Sequence, residues 1–372
     1  MAPLGGIGID LYAPSLPAIA NYFQTSLVSV KATIGIYLLG YGIGQFIFGI
    51  LSDRFGRKPM LIMGLVLYAI ASFLPTFAHG INFILICRFC QGFGAGAPNV
   101  LIKAIIGDQF TGIALTKIAA IVGIAWGLGP VIGPVIGGYL QYYFGWQMSF
   151  YFLTFYGILV LVLSKSFLHE TNINRTPLHA MTLLLNSKKI ISNQTFIASI
   201  FLILVGYSMI ILFNVVGPFL IQDKLSYSAK VYGQIGFVLG IVSILGATLN
   251  RFLVGYFKEN KIILLGLFCM LSAAFFLLIT GWLKYTTLLL IVAPMCIIFL
   301  FEAFLFPLGM KNCISIFGDK KGLGSALMSG AVVISTALIS LLGSFLNTST
   351  QSQLALVYIC LIMLVISMFL KE

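Results

Sequence analysis

The sequence predicts an all-α polytopic membrane protein, about twelve transmembrane helices arranged as two six-helix halves, and three observations lead there. Of its 372 residues 60% are hydrophobic and only 8% are charged, whereas a soluble domain carries about 25% charged residues. Apolar runs of roughly 20 residues, each enough to cross about 30 Å of hydrocarbon, recur along the chain. A polar, basic stretch at 168–194 interrupts them midway. Residues 1–167 therefore read as one six-helix bundle and 195–372 as a second, joined by a cytoplasmic linker.

Taken in order, the runs of the first half lie near 1–21, 29–51, 60–78, 81–106, 115–140 and 147–167. Those of the second lie near 195–221, 229–254, 262–282, 286–310, 322–346 and 354–370. The first run holds GIGIDLYAPSLP (6–17), which carries an acid, Asp10, beside Pro14 and Pro17. Proline lacks an N–H and clashes with the preceding turn, so this run predicts a bent helix. The second run ends in GILSDRFGRKPM (49–60). There Gly49 permits close helix approach, Asp53 can meet the positive end of the following helix, and Gly56 allows a tight turn. Arg54, Arg57 and Lys58 keep that turn cytoplasmic. A basic loop alone explains the cations but leaves the acid and the two glycines unexplained. The fourth run contains ILICRFCQGFGAGA (84–97), with Arg88 in its interior. The fifth contains GLGPVIGPVIGGYL (127–140), where small residues let helices pack closely and prolines bend the chain.

With the N-terminus placed inside, sixteen of the 21 Lys and Arg fall on the cytoplasmic side. Lys31, Lys224, Lys230 and Lys284 fall outside, and Arg88 is left within a helix. That asymmetry predicts cytoplasmic termini and an even number of spans. The central stretch, with Arg175, Lys188, Lys189 and an apolar patch around Leu183, predicts a surface helix. The first run lacks a charged leader and continues as a helix carrying Asp10, which predicts a span rather than a cleavable signal peptide. The net charge of +12 is dispersed over loops, so the expected partner is the lipid bilayer and no nucleic acid. Six cysteines scattered through apolar runs predict no disulfide framework, and Cys87 and Cys90 form a C-x-x-C without partner histidines, so no metal is expected.

Three ionisable residues remain inside spans: Asp10, Arg88 and Glu302. Each costs about 2.5–3.5 kcal/mol at a helix centre, which makes each a functional candidate. At 1.5 Å rise per residue Asp10 lies roughly 14 and 16 Å from the ends of its run, at the midplane. Arg88 lies roughly 10 Å below the outer end of its helix, and Glu302 roughly 14 Å above Lys311 at the inner end of its own. All three are placed to face one central cavity. Asp10 and Arg88 read either as a pair that only orients helices or as a proton-coupling pair, in which a nearby cation governs when a buried carboxylate takes up a proton. His79, His169 and His179 lie in loops or at helix ends and offer no intramembrane relay.

GILSDRFGRKPM resembles the G-x-x-x-D-R-x-G-R-[KR] signature between the second and third helices of the major facilitator superfamily. Arg88, Gln91, Gly92 and Gly94 are similar to that family's fourth-helix pattern. Gly129, Gly133, Pro134, Gly137 and Gly138 resemble the G-x-x-x-G-P-x-x-G-G fifth-helix signature of its drug:proton antiporters. IDLYAPSLPAI (9–19) is similar to the D-M-Y-L-P-A-L-P segment of the Bcr/CflA, bicyclomycin-resistance branch, and Tyr37, Gln45, HET (169–171) and NVVGPFLI (214–221) look like that branch as well. The resemblance covers the whole chain, with its specific motifs in the first half. NRFLVGYFKENK (250–261) is a degenerate echo of the 49–60 motif, as an internal repeat of two halves expects. Two features depart from the branch. Glu302 is not expected at its position, which marks a particular substrate preference, and the branch implies several further residues ahead of Asp10.

The resemblance implies the major facilitator fold and an inner-membrane, monomeric, multi-pass transporter that works by alternating access. It implies export of drugs or small amphipathic metabolites, driven by a proton gradient with no cofactor. Asp10 and Arg88 would couple the proton. Gly49, Asp53, Arg54, Gly56, Arg57 and Lys58 would form a conformational latch, and the fifth-helix residues the antiporter motif. Tyr12, Tyr37, Gln45, Asn99, Tyr207, Asn214 and Glu302 are the aromatic and polar residues expected to face the cavity. A dedicated exporter or importer of a single metabolite, such as an amino acid or a siderophore, is the alternative. A polytopic enzyme or receptor would need clustered His, Cys or acidic residues near one interface, or a large soluble loop, and the sequence has neither.

Overall fold

The computed structural model describes residues 1, 3–172, 193–316 and 321–369. Among them the chain forms twelve helical spans. The first is broken into Leu4–Asp10, a 3-10 turn at Ala13–Ser15 and Leu16–Phe23. Leu27–Phe55, Arg57–Phe73 with a 3-10 turn at Leu74–Phe77, Ile81–Gln109, Gly112–Phe144 and Trp146–Phe167 complete the first six. The second six are Gln194–Pro218, continued by a π-helical turn at Phe219–Lys224, then Ala229–Leu253, Glu259–Trp282, Leu288–Ile316, Lys321–Gly343 and Ser352–Phe369. Eight of these helices are long and apolar enough to cross a bilayer, and Leu327–Gly343 and Ser352–Met368 are shorter apolar helices. The other two are the broken first span and the fourth, which Arg88, Gln91 and its glycines dilute. The surface helix expected around Leu183, with Arg175, Lys188 and Lys189, lies outside the described residues.

Local chemistry accounts for the breaks and the turns. Pro14 and Pro17 have no N–H to offer the carbonyls of Asp10 and Ala13, so the first helix ends at Asp10 and restarts at Leu16. Pro218 likewise precedes the π-helical turn of the seventh span. Ser26, Asn193 and Ser228 cap the second, seventh and eighth spans by accepting from Ser29, Phe196 and Val231 amides. A single glycine at φ +103°, Gly56, joins the second span to the third, a conformation that other residues rarely adopt.

The packing repeats with an offset of six spans. The second packs on the fourth as the eighth packs on the tenth, and the first on the fifth as the seventh on the eleventh. The third meets the fourth and sixth as the ninth meets the tenth and twelfth. Small residues permit the closest of these approaches: a Cβ at Gly92 of the fourth span would run into the Tyr37 carbonyl of the second. Between the halves the second span packs on the eleventh and the fifth on the eighth, a pair of contacts that the same pseudo-symmetry relates.

The halves touch unevenly along the membrane normal. At the outer end Lys31 donates to the Leu346 carbonyl at 2.6 Å and Gln222 donates to the Pro14 carbonyl at 3.0 Å. The fifth span meets the eighth from Val131 to Gly138, against Gly240, Gly236, Gly233 and Ala229. Toward the inner end of the fifth span Ile113, Ile121 and Ile124 are exposed, and a Cβ at Gly123 or Gly127 would find nothing within 4 Å. Among the described residues the two halves are thus tied at the end of Lys31, called the outer end here because the positive-inside rule assigns the opposite end, that of the Gly56 turn, to the cytoplasm.

Candidate functional site

The break in the first span puts Asp10 at the last turn of a half-helix, where its carboxylate faces the other half of the molecule. Asn214 of the seventh span donates from Nδ2 to Asp10 Oδ1 at 2.9 Å, and Tyr232 of the eighth span donates to Asn214 Oδ1 at 3.2 Å. Asp10 is 5% exposed and Asn214 6%. A carboxylate and an amide, each buried, thus join the two halves, and Tyr232 fixes which way the amide points. Tyr232 escapes sequence reasoning, because a tyrosine in an apolar span carries no signal of its partner.

Arg88 is 0% exposed and among the described residues pairs with no carboxylate. Its Nη1 donates to the Gly8 carbonyl at 3.0 Å and to Gln91 Oε1 at 2.6 Å. Gln91 in turn donates to Ser72 Oγ of the third span at 2.8 Å. The guanidinium lies over the rings of Tyr12 and Tyr37, 4.3 and 4.2 Å from their centroids. Such a sandwich spreads the charge over two quadrupoles, each worth about 0.5–2 kcal/mol by cation–π attraction. The structure therefore does not show the direct Asp10–Arg88 ion pair that the sequence invites. Arg88 reaches the first span two residues away, through the carbonyl that precedes Asp10 in the same half-helix. Tyr12 donates or accepts with Thr33 at 3.0 Å, and Tyr37 donates to the Gly5 carbonyl at 2.9 Å.

The other cavity candidates fall into two groups. Asn99 donates to Gln45 Oε1 at 2.9 Å, and Ser329 of the eleventh span donates to the same oxygen, also at 2.9 Å, so this layer crosses between the halves nearer the inner end. Tyr207 of the seventh span lies within electrostatic reach of both Asp10 and Glu302. Glu302, 7% exposed, fills the space left by Gly206, where a Cβ would stand 2.6 Å from its Cγ.

The fifth-helix motif presents two faces at helical spacing. Gly129, Gly133 and Gly137 face the first span: a Cβ at Gly133 would stand 2.8 Å from Asp10 Cβ, and one at Gly137 would overlap the Leu11 carbonyl. Pro134 and Gly138 face the eighth span, where a Cβ on Gly138 would stand 2.6 Å from the Ala229 carbonyl. One helix thus seats the broken first span on one side and the other half on its other side.

At the inner end Arg57 joins Asp53 at 2.5 Å and Asp108 at 3.2 Å, and also donates to Ser52. Arg54 stacks over Phe55, Lys58 donates to the Lys165 carbonyl, and Gly49 stands in ordinary contact with Val100. Glu170 caps the third span by accepting from the amides of Arg57 and Lys58, at 2.9 and 3.1 Å. Burial pushes the Glu170 carboxyl up, but the amides of Asn172, Arg57, Lys58 and Thr171 together hold it below its ordinary 4.5. Asn172 closes the cluster by donating to the Ser52 and Asp53 carbonyls. These contacts join the first half to the start of the linker that follows it. Asp108 and Asn172 are missed by sequence reasoning, whereas Glu170 sits in the HET triplet that it did single out.

Residues 4–301 match the family model described as Major Facilitator Superfamily. The multidrug resistance protein MdtL of Shewanella oneidensis is 29% identical over 352 residues, 94% of this chain and 88% of that protein. A bicyclomycin resistance protein homolog of Haemophilus influenzae is 31% identical over 180 residues, 48% of this chain and 45% of that protein. Among solved structures, a D-xylose–proton symporter superposes with a TM-score of 0.77 at 16% identity, over 99% of this chain and 95% of that one.

Proposed function

This chain belongs to the Major Facilitator Superfamily, and we propose that it is a proton-coupled antiporter of the Bcr/CflA type that exports drugs or small amphipathic molecules across the bacterial inner membrane. It would act as a monomer with both termini in the cytoplasm. The fold makes it a multi-pass membrane transporter rather than an enzyme, and the multidrug-resistance relatives favour a drug-like cargo.

The observation that carries the reading is the hydrogen bond from Asn214 to Asp10, a titratable group bound across the two halves at the midplane. A hydrogen bond to an ionised carboxylate is about twice as strong as one between neutral groups. Ionised Asp10 therefore favours the state described here, in which the outer ends of the two halves are tied together. A proton taken up from the periplasmic side weakens that tie in the outward-facing state, and its release to the cytoplasm restores it. Arg88 acts through the Gly8 carbonyl by holding the half-helix that carries Asp10. The cluster of Gly49, Asp53, Arg54, Gly56, Arg57 and Lys58 latches the inner end when the molecule faces outward. Flux into inverted membrane vesicles tests this. An acidic interior should drive uptake of cargo by wild type, and Asp10→Asn should abolish that drive while the protein remains inserted. Gradient-driven uptake that survives in Asp10→Asn would sink the mechanism.

A further inference from the structure

Glu302 differs from Asp10 in having no hydrogen bond or ion pair among the described residues, although it is 7% exposed and lies in the interior of the tenth span. An ionised carboxylate buried without donors is strongly disfavoured, and a neutral one still leaves an O–H to be satisfied. Its side-chain oxygens are absent from the buried polar atoms that lack a partner, so they reach open space rather than a sealed core. Gly206 supplies the room, since any side chain there would collide with the Glu302 methylenes. The bond to Asn214 seats Asp10 about two turns further along the seventh span, roughly 12 Å toward the outer end. Tyr207 follows Gly206 in the seventh span and lies within electrostatic reach of both acids.

The geometry points to Glu302 as a binding subsite for the cationic group of a lipophilic organic cation, distinct from the protonation site at Asp10. This rests on the exporter reading above and names its substrate class. The acid, the phenol of Tyr207 and the apolar walls of the seventh and tenth spans supply what such a molecule needs: one unpaired negative charge and aromatic, water-poor surroundings. Arg88, fully buried in the first half, lies against the Tyr12 and Tyr37 rings, Gly8 and Gln91, and among the described residues forms no ion pair with Glu302. Glu302, beside Gly206, stands nearer the inner end than Asp10, beside Asn214, so a cation that enters from the cytoplasm meets it first.

Equilibrium binding of radiolabelled tetraphenylphosphonium to the purified full chain, set beside the neutral triphenylphosphine oxide, tests the subsite. Glu302→Gln should weaken tetraphenylphosphonium binding about tenfold or more, the scale of one lost charged interaction, and leave the neutral compound within about twofold. Glu302→Asp should recover part of the loss. As a measurement that needs no variant, a hydrophobic carbodiimide should modify Glu302 in wild type, mapped by mass spectrometry, and tetraphenylphosphonium should protect it. Equal cation affinity in wild type and Glu302→Gln, or modification that the cation does not slow, overturns the assignment. Proton-driven flux of the neutral compound without any cation binding overturns this inference alone. Absence of proton-driven flux for every compound overturns the exporter reading itself.

Discussion

Asp10 and Arg88 are both buried in the first half, yet the structure surrounds them in different ways, and their substitutions should separate accordingly. Asp10 meets one amide, and an asparagine there still offers Asn214 a carbonyl acceptor, so Asp10→Asn is expected to keep its thermal stability in detergent while losing proton coupling. Arg88 is held by two hydrogen bonds and two rings. Its truncation orphans the Gln91 carbonyl oxygen and the Gly8 carbonyl at about 1–3 kcal/mol each, besides leaving a cavity. Arg88→Ala should therefore lower the melting temperature by several degrees as well as transport, and Arg88→Lys should not restore it, because an ammonium cannot lie flat between two rings. A melting temperature equal to wild type in Arg88→Ala would show that the sandwich contributes nothing to the fold. The presence and depth of these ions are legible in the sequence, since charges stand out in an apolar run. Their partners are not: Asn214 lies 204 positions from Asp10, and the half of the carboxylate's environment that decides its behaviour is supplied by the other bundle.

At the scale of elements, the fifth span offers a test in which adjacent glycines should fail differently. Gly137 abuts the Leu11 backbone of its own half, so Gly137→Ala forces apart two helices that fold together and should cost about 1–3 kcal/mol, read as a lower melting temperature and lower yield. Gly138 abuts Ala229 and Gly233 of the other half. Gly138→Ala should spare the fold and disfavour only the state with the outer end closed, read as greater labelling of a cysteine introduced at Ser15. Identical behaviour of the two variants would deny the two-faced reading of this helix. The cap at the third span makes a pH prediction. Glu170 is held below its ordinary 4.5, so its stabilisation is complete above that value and is lost as pH falls through the lower folded value. Acidification below 4.5, through the lowered folded value, should release the segment after the sixth span, seen as faster amide exchange at Thr171 and Asn172, and Glu170→Gln should show that exchange already at neutral pH. Span positions are legible because a bilayer imposes length on apolar runs: the second span is expected at 29–51 and found at Leu27–Phe55, and the eighth at 229–254 and found at Ala229–Leu253. The helical extensions beyond the hydrocarbon, such as Gly112–Phe144 against 115–140, carry no hydropathy signal and so escape that reading.

For the whole molecule, one sequence must encode two arrangements of its halves, and that is why the conformation itself cannot be read from composition or motif. What holds the present arrangement is concentrated at the outer end. Lys31, 2% exposed, donates to the Leu346 carbonyl beyond the end of the eleventh span and lies 5.4 Å over the Phe219 ring of the seventh. A cation that meets the exposed carbonyls of a helix C-terminus gains from the helix dipole, and a charged hydrogen bond contributes about 1.5–3 kcal/mol. Positive-inside sorting places Lys31 among the few cations outside, which is the signal it leaves in the sequence, but its role depends on a carbonyl 315 positions away. Lys31→Met keeps the length and apolar stem of the side chain and removes only the charge and the donor. The ratio of outward- to inward-facing molecules should then rise by roughly ten- to a hundredfold, by the same free energy. Spin labels at Gln24 and Ser349, one on each half near the outer end, would report it as a longer distance population in Lys31→Met, in a background with the native cysteines replaced. Because Asp10 and Lys31 tie the same two halves, Asp10→Asn should lengthen that distance too, and the double variant should exceed either alone. An unchanged distribution in Lys31→Met would place the closing energy elsewhere, in the glycine contacts between the fifth and eighth spans, and would remove the charge at the outer end from the coupling scheme.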